Sequence, residues 1–105
     1  MSKRAAVDFG AINCAALPVL PSLLERWAPG GRIQGREYVV RNPTRNDRSL
    51  GSFRINLVTG RWADFATGDA GGDVIALAAY LHNLSQAEAA KRIADMLCIA
   101  RDTSP

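Results

Sequence analysis

The chain has few of the side chains that bind metal ions through sulfur or imidazole. Its 105 residues include two cysteines, Cys14 and Cys98, and a single histidine, His82. Each cysteine lies among apolar neighbours, which predicts two reduced thiols in the core, with a disulfide between them as the alternative. Two lone cysteines cannot form a structural zinc site by themselves. His82 has no obvious serine or cysteine partner, so we predict no catalytic role for it and no enzymatic activity.

Long apolar runs are absent as well. The longest, residues 74–81, is far shorter than the ~18–20 residues needed to span a bilayer. Asp8, Asn13 and two prolines interrupt the apolar residues near the N-terminus, and no clear small-residue cleavage site follows them. We therefore predict no signal peptide, no membrane partner and a cytoplasmic location.

Lysine is absent between residues 26 and 61, where all eight cations are arginine. Only Glu37 and Asp47 oppose them, whereas residues 62–105 carry three cations and six acids. The overall net charge of +3 therefore hides a basic segment and an acidic segment. Because guanidinium groups make forked contacts with phosphate and stack on bases, the basic segment indicates a polyanionic partner. The alternative is an arginine-rich face that only keeps the protein soluble.

The remaining composition fits one compact domain spanning residues 1–105. Hydrophobic residues make up 48% of the chain and charged residues 22%, as in ordinary globular proteins. Hydrophobic periodicity predicts an α+β fold, with a small three-stranded antiparallel sheet, an N-terminal helix and two C-terminal helices. We expect its core within residues 20–98 and loosely ordered termini. The predicted elements are a helix at 21–27, strands at 37–41, 52–57 and 62–66, and helices at 74–82 and 86–97.

Local chemistry marks several of the predicted element ends. Asp73 is suited to be the N-cap of the helix at 74–82, and Asn83 is suited to end it. Ser85 and Glu88 have the spacing of a capping box for the last helix. The sequence Val-Thr-Gly-Arg at 58–61 predicts the tight reversal of a β-hairpin.

The segment 36–80 carries the most specific pattern in the chain. Three strand-like runs are followed by a glycine-rich step and an apolar helix. Four motifs occur along it in this order: Asn42-Pro43-Thr44-Arg45, Ser52-Phe53, Asp64-Phe65-Ala66-Thr67-Gly68 and Gly71-Gly72-Asp73. The order resembles the zinc-binding domain of bacterial and phage DNA primases, where the corresponding motifs are Cys-Pro-x-His, Ser-Phe, Cys-Phe-x-Cys-Gly and Gly-Gly-Asp. The resemblance implies a zinc-ribbon-like sheet.

The four zinc-ligand positions of that family carry other residues here, namely Asn42, Arg45, Asp64 and Thr67. Arginine keeps its proton, and asparagine and threonine are poor zinc ligands. We therefore predict a degenerate, metal-free form that needs no cofactor. We expect an Arg45–Asp64 ion pair to join the turn at 42–45 to the turn at 64–68. The side chains of Asn42 and Thr67 are expected to form hydrogen bonds around this pair.

Two further sites suit parts of this segment less well. Asp64, Asp69 and Asp73 invite a carboxylate site for magnesium or calcium, but arginine pairing, a glycine-rich turn and helix capping explain them individually. The sequence TGDAGGD exposes backbone N–H groups before a helix, as a phosphate cradle does. It carries acids and lacks the P-loop lysine, so a tight turn that packs the hairpin against the helix explains it better.

The resemblance implies a non-catalytic nucleic-acid-binding module that engages single-stranded or template DNA in replication or in mobile-element DNA processing. On this hypothesis arginines contact phosphates and a tryptophan stacks on a base. The residues predicted to bind DNA are Arg41, Arg45, Arg48, Arg54, Arg61 and Trp62. Core packing of the tryptophan is an equal alternative. The alternative function is a protein-interaction module that docks a primase, a helicase or another DNA-processing partner.

Overall fold

The computed structural model of the chain describes residues 8–44 and 52–97. Within them, four α-helices and one five-stranded antiparallel sheet form an α+β fold, which confirms the predicted class. The helices are α1 (Phe9–Ala16), α2 (Leu20–Trp27), α3 (Val74–His82) and α4 (Gln86–Met96), with a 3₁₀ helix at Leu17–Val19. The strands are β1 (Arg32–Gln34), β2 (Glu37–Val40), β3 (Phe53–Asn56), β4 (Trp62–Asp64) and β5 (Ala70–Gly71).

The sheet is a meander in which each strand pairs with its neighbour in the sequence. The three predicted strands correspond to β2, β3 and β4, each slightly shorter than predicted. The prediction of three strands was wrong in number, because β1 and β5 also pair at the two edges. All three residues of β1 are exposed, and β5 is a two-residue stretch of the glycine-rich step. Neither strand therefore has the alternating apolar pattern that identifies a strand in a sequence.

The turn between β3 and β4 confirms the predicted hairpin. The Asn56 side chain accepts hydrogen bonds from the backbone N–H groups of Val58 and Thr59, at 2.8 and 3.0 Å. Gly60 has a φ of +81°, a backbone conformation that other residues rarely adopt. A Cβ atom there would also lie 3.2 Å from the Val74 side chain, so this turn packs closely against the start of α3.

The two C-terminal helices follow their local capping signals. The Asp73 carboxylate accepts a hydrogen bond from the N–H of Ala76 at 2.8 Å, and Asn83 ends α3 in the left-handed conformation. The Ser85 hydroxyl accepts from the N–H of Glu88 at 3.1 Å at the start of α4. The reciprocal half of the predicted capping box is replaced by an ion pair, because the Glu88 carboxylate contacts Arg92 at 3.3 Å.

The N-terminal region is more ordered than predicted, since α1 begins at Phe9. The Asp8 side chain caps this helix by accepting a hydrogen bond from the N–H of Ala11 at 3.1 Å. The buried Ile12 extends the core toward the N-terminus beyond the predicted limit. The Asn13 side chain accepts a hydrogen bond from the backbone N–H of Ile75 at 3.0 Å. Because that N–H belongs to the first turn of α3, Asn13 joins the two helices and satisfies a donor that has no partner inside its helix.

The core lies between one face of the sheet and the helices. We call this sheet face the inner face; its buried side chains are Tyr38, Val40, Phe53, Ile55, Trp62 and Asp64. Its apolar members share one hydrophobic cluster with the buried residues of all four helices. Tyr38 also ties α2 to the sheet, because its hydroxyl donates to the carbonyl of Ala28 at 2.8 Å and accepts from the N–H of Gly31 at 3.2 Å.

The prediction of two core thiols was wrong for Cys14, which is exposed. The buried stripe of α1 passes through Ile12 and Ala16, one helical turn apart, and Cys14 lies between them on the solvent side. Cys98 and any disulfide to it lie outside the described residues. Among the described helices, none is long and apolar enough to cross a membrane.

Candidate functional site

The outer face of the sheet, opposite the inner face, carries charged and small side chains. Cross-strand partners share a face, so one row of side chains crosses it from strand to strand. The row consists of Arg32, Val39, Arg54, Ala63 and Ala70. Val39 is buried but does not belong to the core cluster, whereas Arg32 is exposed and Arg54 is half-buried. This face therefore combines cationic groups with the small side chains of Ala63 and Ala70.

A shallow groove of about 460 Å³ is formed over β3, β4 and β5. Its lining consists of Glu37, Arg54, Asn56, Thr59, Arg61, Trp62, Ala63, Phe65, Ala70 and Gly71. The Nη1 atom of Arg54 lies 3.0 Å from the Oε1 atom of Glu37, and both side chains are about one-third exposed. Arg61 is exposed at the start of β4. The groove thus contains two arginines and one carboxylate, and a ligand phosphate has to compete with that carboxylate for Arg54.

The structure brings together three of the six residues predicted to bind DNA. Arg54, Arg61 and Trp62 line the groove, whereas Arg41 is exposed just beyond β2 and outside the groove. Arg45 and Arg48 lie outside the described residues.

Trp62 is a core residue, with 5% of its surface exposed. Its ring packs against Tyr80 at a tilt of 32°, with a centroid distance of 4.7 Å, and makes an edge contact with Phe53 at 6.1 Å. A Cβ atom on Gly71 would lie 2.4 Å from the indole Nε1, so the backbone of β5 closes over the ring. Of the two alternatives for this tryptophan, core packing describes the structure, and neither face of the ring is open for a base. The indole N–H is buried and has no hydrogen-bond partner in the described part of the chain.

Phe65 is the aromatic residue of the groove that the sequence analysis did not select. It is 71% exposed, although it follows the fully buried Asp64. The alternation of side chains explains this exposure, because Phe65 follows Asp64 and points to the opposite, outer face together with Ala63. The alternation of side chains along the predicted strand 62–66 was the signal from which the exposure of Phe65 could have been predicted. In the sequence analysis Phe65 was only a matching residue of the motif at 64–68, with no binding role.

A buried polar cluster occupies the position at which the resemblance puts the metal. The Asn42 side chain donates from Nδ2 to Asp64 Oδ2 and to the Tyr80 hydroxyl, both at 2.8 Å. Its Oδ1 accepts from the backbone N–H and the hydroxyl of Thr44, at 2.8 and 2.7 Å. Asn42 and Asp64 are at most 1% exposed. Both ends of the amide are therefore used, which fixes its orientation.

The Asp64 residue also organises the turn that follows β4. Its Oδ1 accepts from the N–H of Ala66 at 2.9 Å, and its carbonyl accepts from Gly68 and Thr67 at 2.8 and 3.2 Å. Of the four positions that correspond to the family's zinc ligands, the structure thus joins the side chains of Asn42 and Asp64, and Thr67 contacts the carbonyl of Asp64. Arg45 lies outside the described residues, so the predicted Arg45–Asp64 ion pair is not described, whereas Asn42 and Asp64 do contact each other across the two turns. Sequence reasoning missed Tyr80, because it is distant in the sequence and belongs to the apolar run of α3.

The other acidic and imidazole side chains have local roles. Asp69 accepts from the Tyr80 hydroxyl at 2.7 Å, and Asp73 caps α3. His82 packs edge-on against Trp27, with a centroid distance of 5.7 Å. Across residues 8–44 and 52–97, no three His, Cys, Asp or Glu side chains are grouped as metal ligands.

Comparison of the chain with protein-family models, with curated proteins and with solved structures found no match in any of the three.

Proposed function

We propose that the protein is a non-catalytic module that binds single-stranded nucleic acid through the outer face of its sheet. The observation that carries the proposal is the groove, because Arg54 and Arg61 both line it on an open sheet face. Arg32, Arg36 and Arg41 are exposed on the strands and turns of the same sheet. A cationic surface of this kind attracts a polyanion and releases its counterions on binding.

The proposed origin of the module is a primase-type zinc-binding domain that has lost its metal. The order of the motifs supports this origin, as does the meeting of Asn42 with Asp64 at the position where the family has ligands. By this resemblance, its setting is DNA replication or mobile-element DNA processing, in the cytoplasm, where it holds template DNA for a polymerase on another chain or domain.

The alternative function, docking of a primase, a helicase or another DNA-processing protein, predicts apolar side chains exposed on the last helix. Along the described length of α4, Met96 is the one large apolar residue that is exposed, at 38%. We therefore favour the nucleic acid as the partner, and the binding experiment distinguishes the two.

The test is a titration of a fluorescent oligothymidylate with the full chain over a series of salt concentrations. We expect log Kd to rise with log salt with a slope of roughly 2–4, because each neutralised phosphate of a single strand contributes about 0.7. Arg61→Ala should weaken binding of all sequences and lower the slope by about one contact. Arg92→Ala, which removes an arginine from the helical side, is the matched control and should leave both values unchanged. No binding at low salt by the folded protein would overturn the proposal and favour the docking function.

The Glu37–Arg54 pair offers a second test, in which one substitution is expected to raise the affinity for the oligonucleotide. Glu37→Gln removes the carboxylate that competes with phosphate for Arg54, so this variant should bind the oligonucleotide more tightly than the parent. Arg54→Ala should bind more weakly, since it removes a phosphate contact and leaves the carboxylate in the groove. Equal affinities of the two variants would show that the groove is not where the strand lies.

A further inference from the structure

Phe65 combines high exposure with a backbone that is held in place. Its N–H donates to the carbonyl of Ser52 at 2.8 Å, and the next residue, Ala66, donates to the buried Asp64 carboxylate at 2.9 Å. The turn that carries the ring is therefore tied to β3 on one side and to the polar cluster on the other. Because the backbone of this turn is already fixed, little backbone freedom is lost when a ligand binds the side chain.

The surroundings of Phe65 indicate the chemistry of that ligand. The ring lines the same groove as Arg54 and Arg61, so a flat apolar surface and two guanidinium groups face one space of about 460 Å³. Sites for small ligands commonly have volumes of roughly 300–1,000 Å³, which suits one or a few nucleotide units. An aromatic face beside arginines is the arrangement that holds single strands, since every base has a face to stack and every linkage has a phosphate.

We propose that Phe65 is the residue on which an unpaired base stacks, while Arg54 and Arg61 hold the neighbouring phosphates. This inference rests on the proposed function and deepens it, because it makes the site selective for single strands. A paired base stays between its neighbours in a duplex and cannot cover the ring. The buried Trp62 does not contact the base and packs in the core on the inner face, beneath the strands that form the groove.

The experiment compares two strands of equal length and charge, an oligothymidylate and the same backbone with abasic sites. Phe65→Ala should weaken binding of the oligothymidylate by roughly 5- to 150-fold, the effect measured when an aromatic stacking partner of a base is removed. It should leave binding of the abasic strand and the salt slope unchanged. Phe65→Trp should keep or strengthen the preference for the strand with bases. Ile33→Ala, which truncates an exposed apolar residue of β1, is the matched control and should change neither affinity.

The outcomes separate the two proposals. If the parent protein binds neither strand at low salt, both fail. If it binds both strands and Phe65→Ala does not change their ratio, the stacking proposal is overturned while the proposed function stands. A large loss of thermal stability in Phe65→Ala would show that the ring is structural and would also overturn the stacking proposal. Duplex of the same length serves as a further probe, and tighter binding of duplex than of single strand contradicts the inference.

Discussion

At the scale of single residues, the contact between Asn42 and Asp64 has the clearest physical logic. A carboxylate that is fully buried is costly unless hydrogen bonds satisfy both of its oxygens. Asp64 meets this requirement, with Asn42 Nδ2 on one oxygen and the N–H of Ala66 on the other. The amide is matched to the carboxylate in turn, because its donor end faces the acid and its acceptor end faces Thr44.

This complementarity predicts a strongly non-additive pair of substitutions. Asn42→Asp puts a second carboxylate against the first, and we expect it to cost roughly 3–5 kcal/mol of unfolding free energy, as uncompensated buried charges do. Asp64→Asn places an NH₂ group against one of the two donors to this carboxylate, which are Asn42 Nδ2 and the N–H of Ala66. It should lower the free energy of unfolding by about 1–3 kcal/mol. The double variant restores one carboxylate facing one amide and should be more stable than Asn42→Asp alone. Urea denaturation of the four proteins measures the coupling.

The comparison for this cycle is Asp69→Asn, the same change at the exposed edge of the same hydrogen-bond network. An asparagine there can still accept from the Tyr80 hydroxyl, so a change of less than about 1 kcal/mol is expected. If the two cluster substitutions are simply additive, the contact does not hold the two turns together.

At the scale of elements, the fit of β5 over the Trp62 ring depends on the absence of a side chain at Gly71. A Cβ atom at this position would lie 2.4–2.6 Å from three atoms of the indole. Gly71→Ala should therefore force the edge strand away from the ring and cost roughly 1–3 kcal/mol, as overpacking of a core does. Thermal melting monitored by circular dichroism measures this effect.

Gly72 is the matched control for that substitution. A Cβ atom there meets nothing within 4 Å, so Gly72→Ala should not disturb the fold. It should be neutral or should stabilise the protein by up to about 1 kcal/mol, because alanine lowers the conformational entropy of the unfolded chain. Trp62→Phe removes the atoms that a Cβ at residue 71 would strike, and in this background Gly71→Ala should cost less. An equal cost in both backgrounds would mean that the ring does not set the position of β5.

How far each element could be predicted depends on where its determinants lie. The caps of α3 and α4 are within four residues of the helix ends, and their positions were predicted correctly. The edge strands β1 and β5 exist because a neighbouring strand offers hydrogen bonds, and their own sequences carry no such signal. In the site, the motif order selected Asn42 and Asp64, which do meet. It could not show that the Tyr80 hydroxyl contacts Asn42 or that Phe65 is exposed, since both depend on the packing of α3 and β4 in three dimensions.

At the scale of the whole molecule, we expect the fold to stand without zinc. A structural zinc contributes roughly 10–16 kcal/mol in small zinc-finger peptides, so a protein that relied on one would unfold when the metal is removed. Here the polar cluster joins the two turns and the surrounding core is apolar. Elemental analysis of the purified protein should find no stoichiometric metal, and a strong chelator should leave the melting temperature unchanged. Stoichiometric zinc, or a melting temperature that falls sharply with the chelator, would contradict this expectation.

The described chain enters and leaves the fold through its helices. The first and last of these, α1 and α4, contact each other and belong to the layer that covers the inner face. The outer face and its groove lie on the opposite side of the sheet. The described part of the chain, residues 8–44 and 52–97, therefore begins and ends in the helical layer and not on the outer face. Neither terminal helix covers the groove, so both ends of the described chain leave the arginines of the outer face open to a ligand.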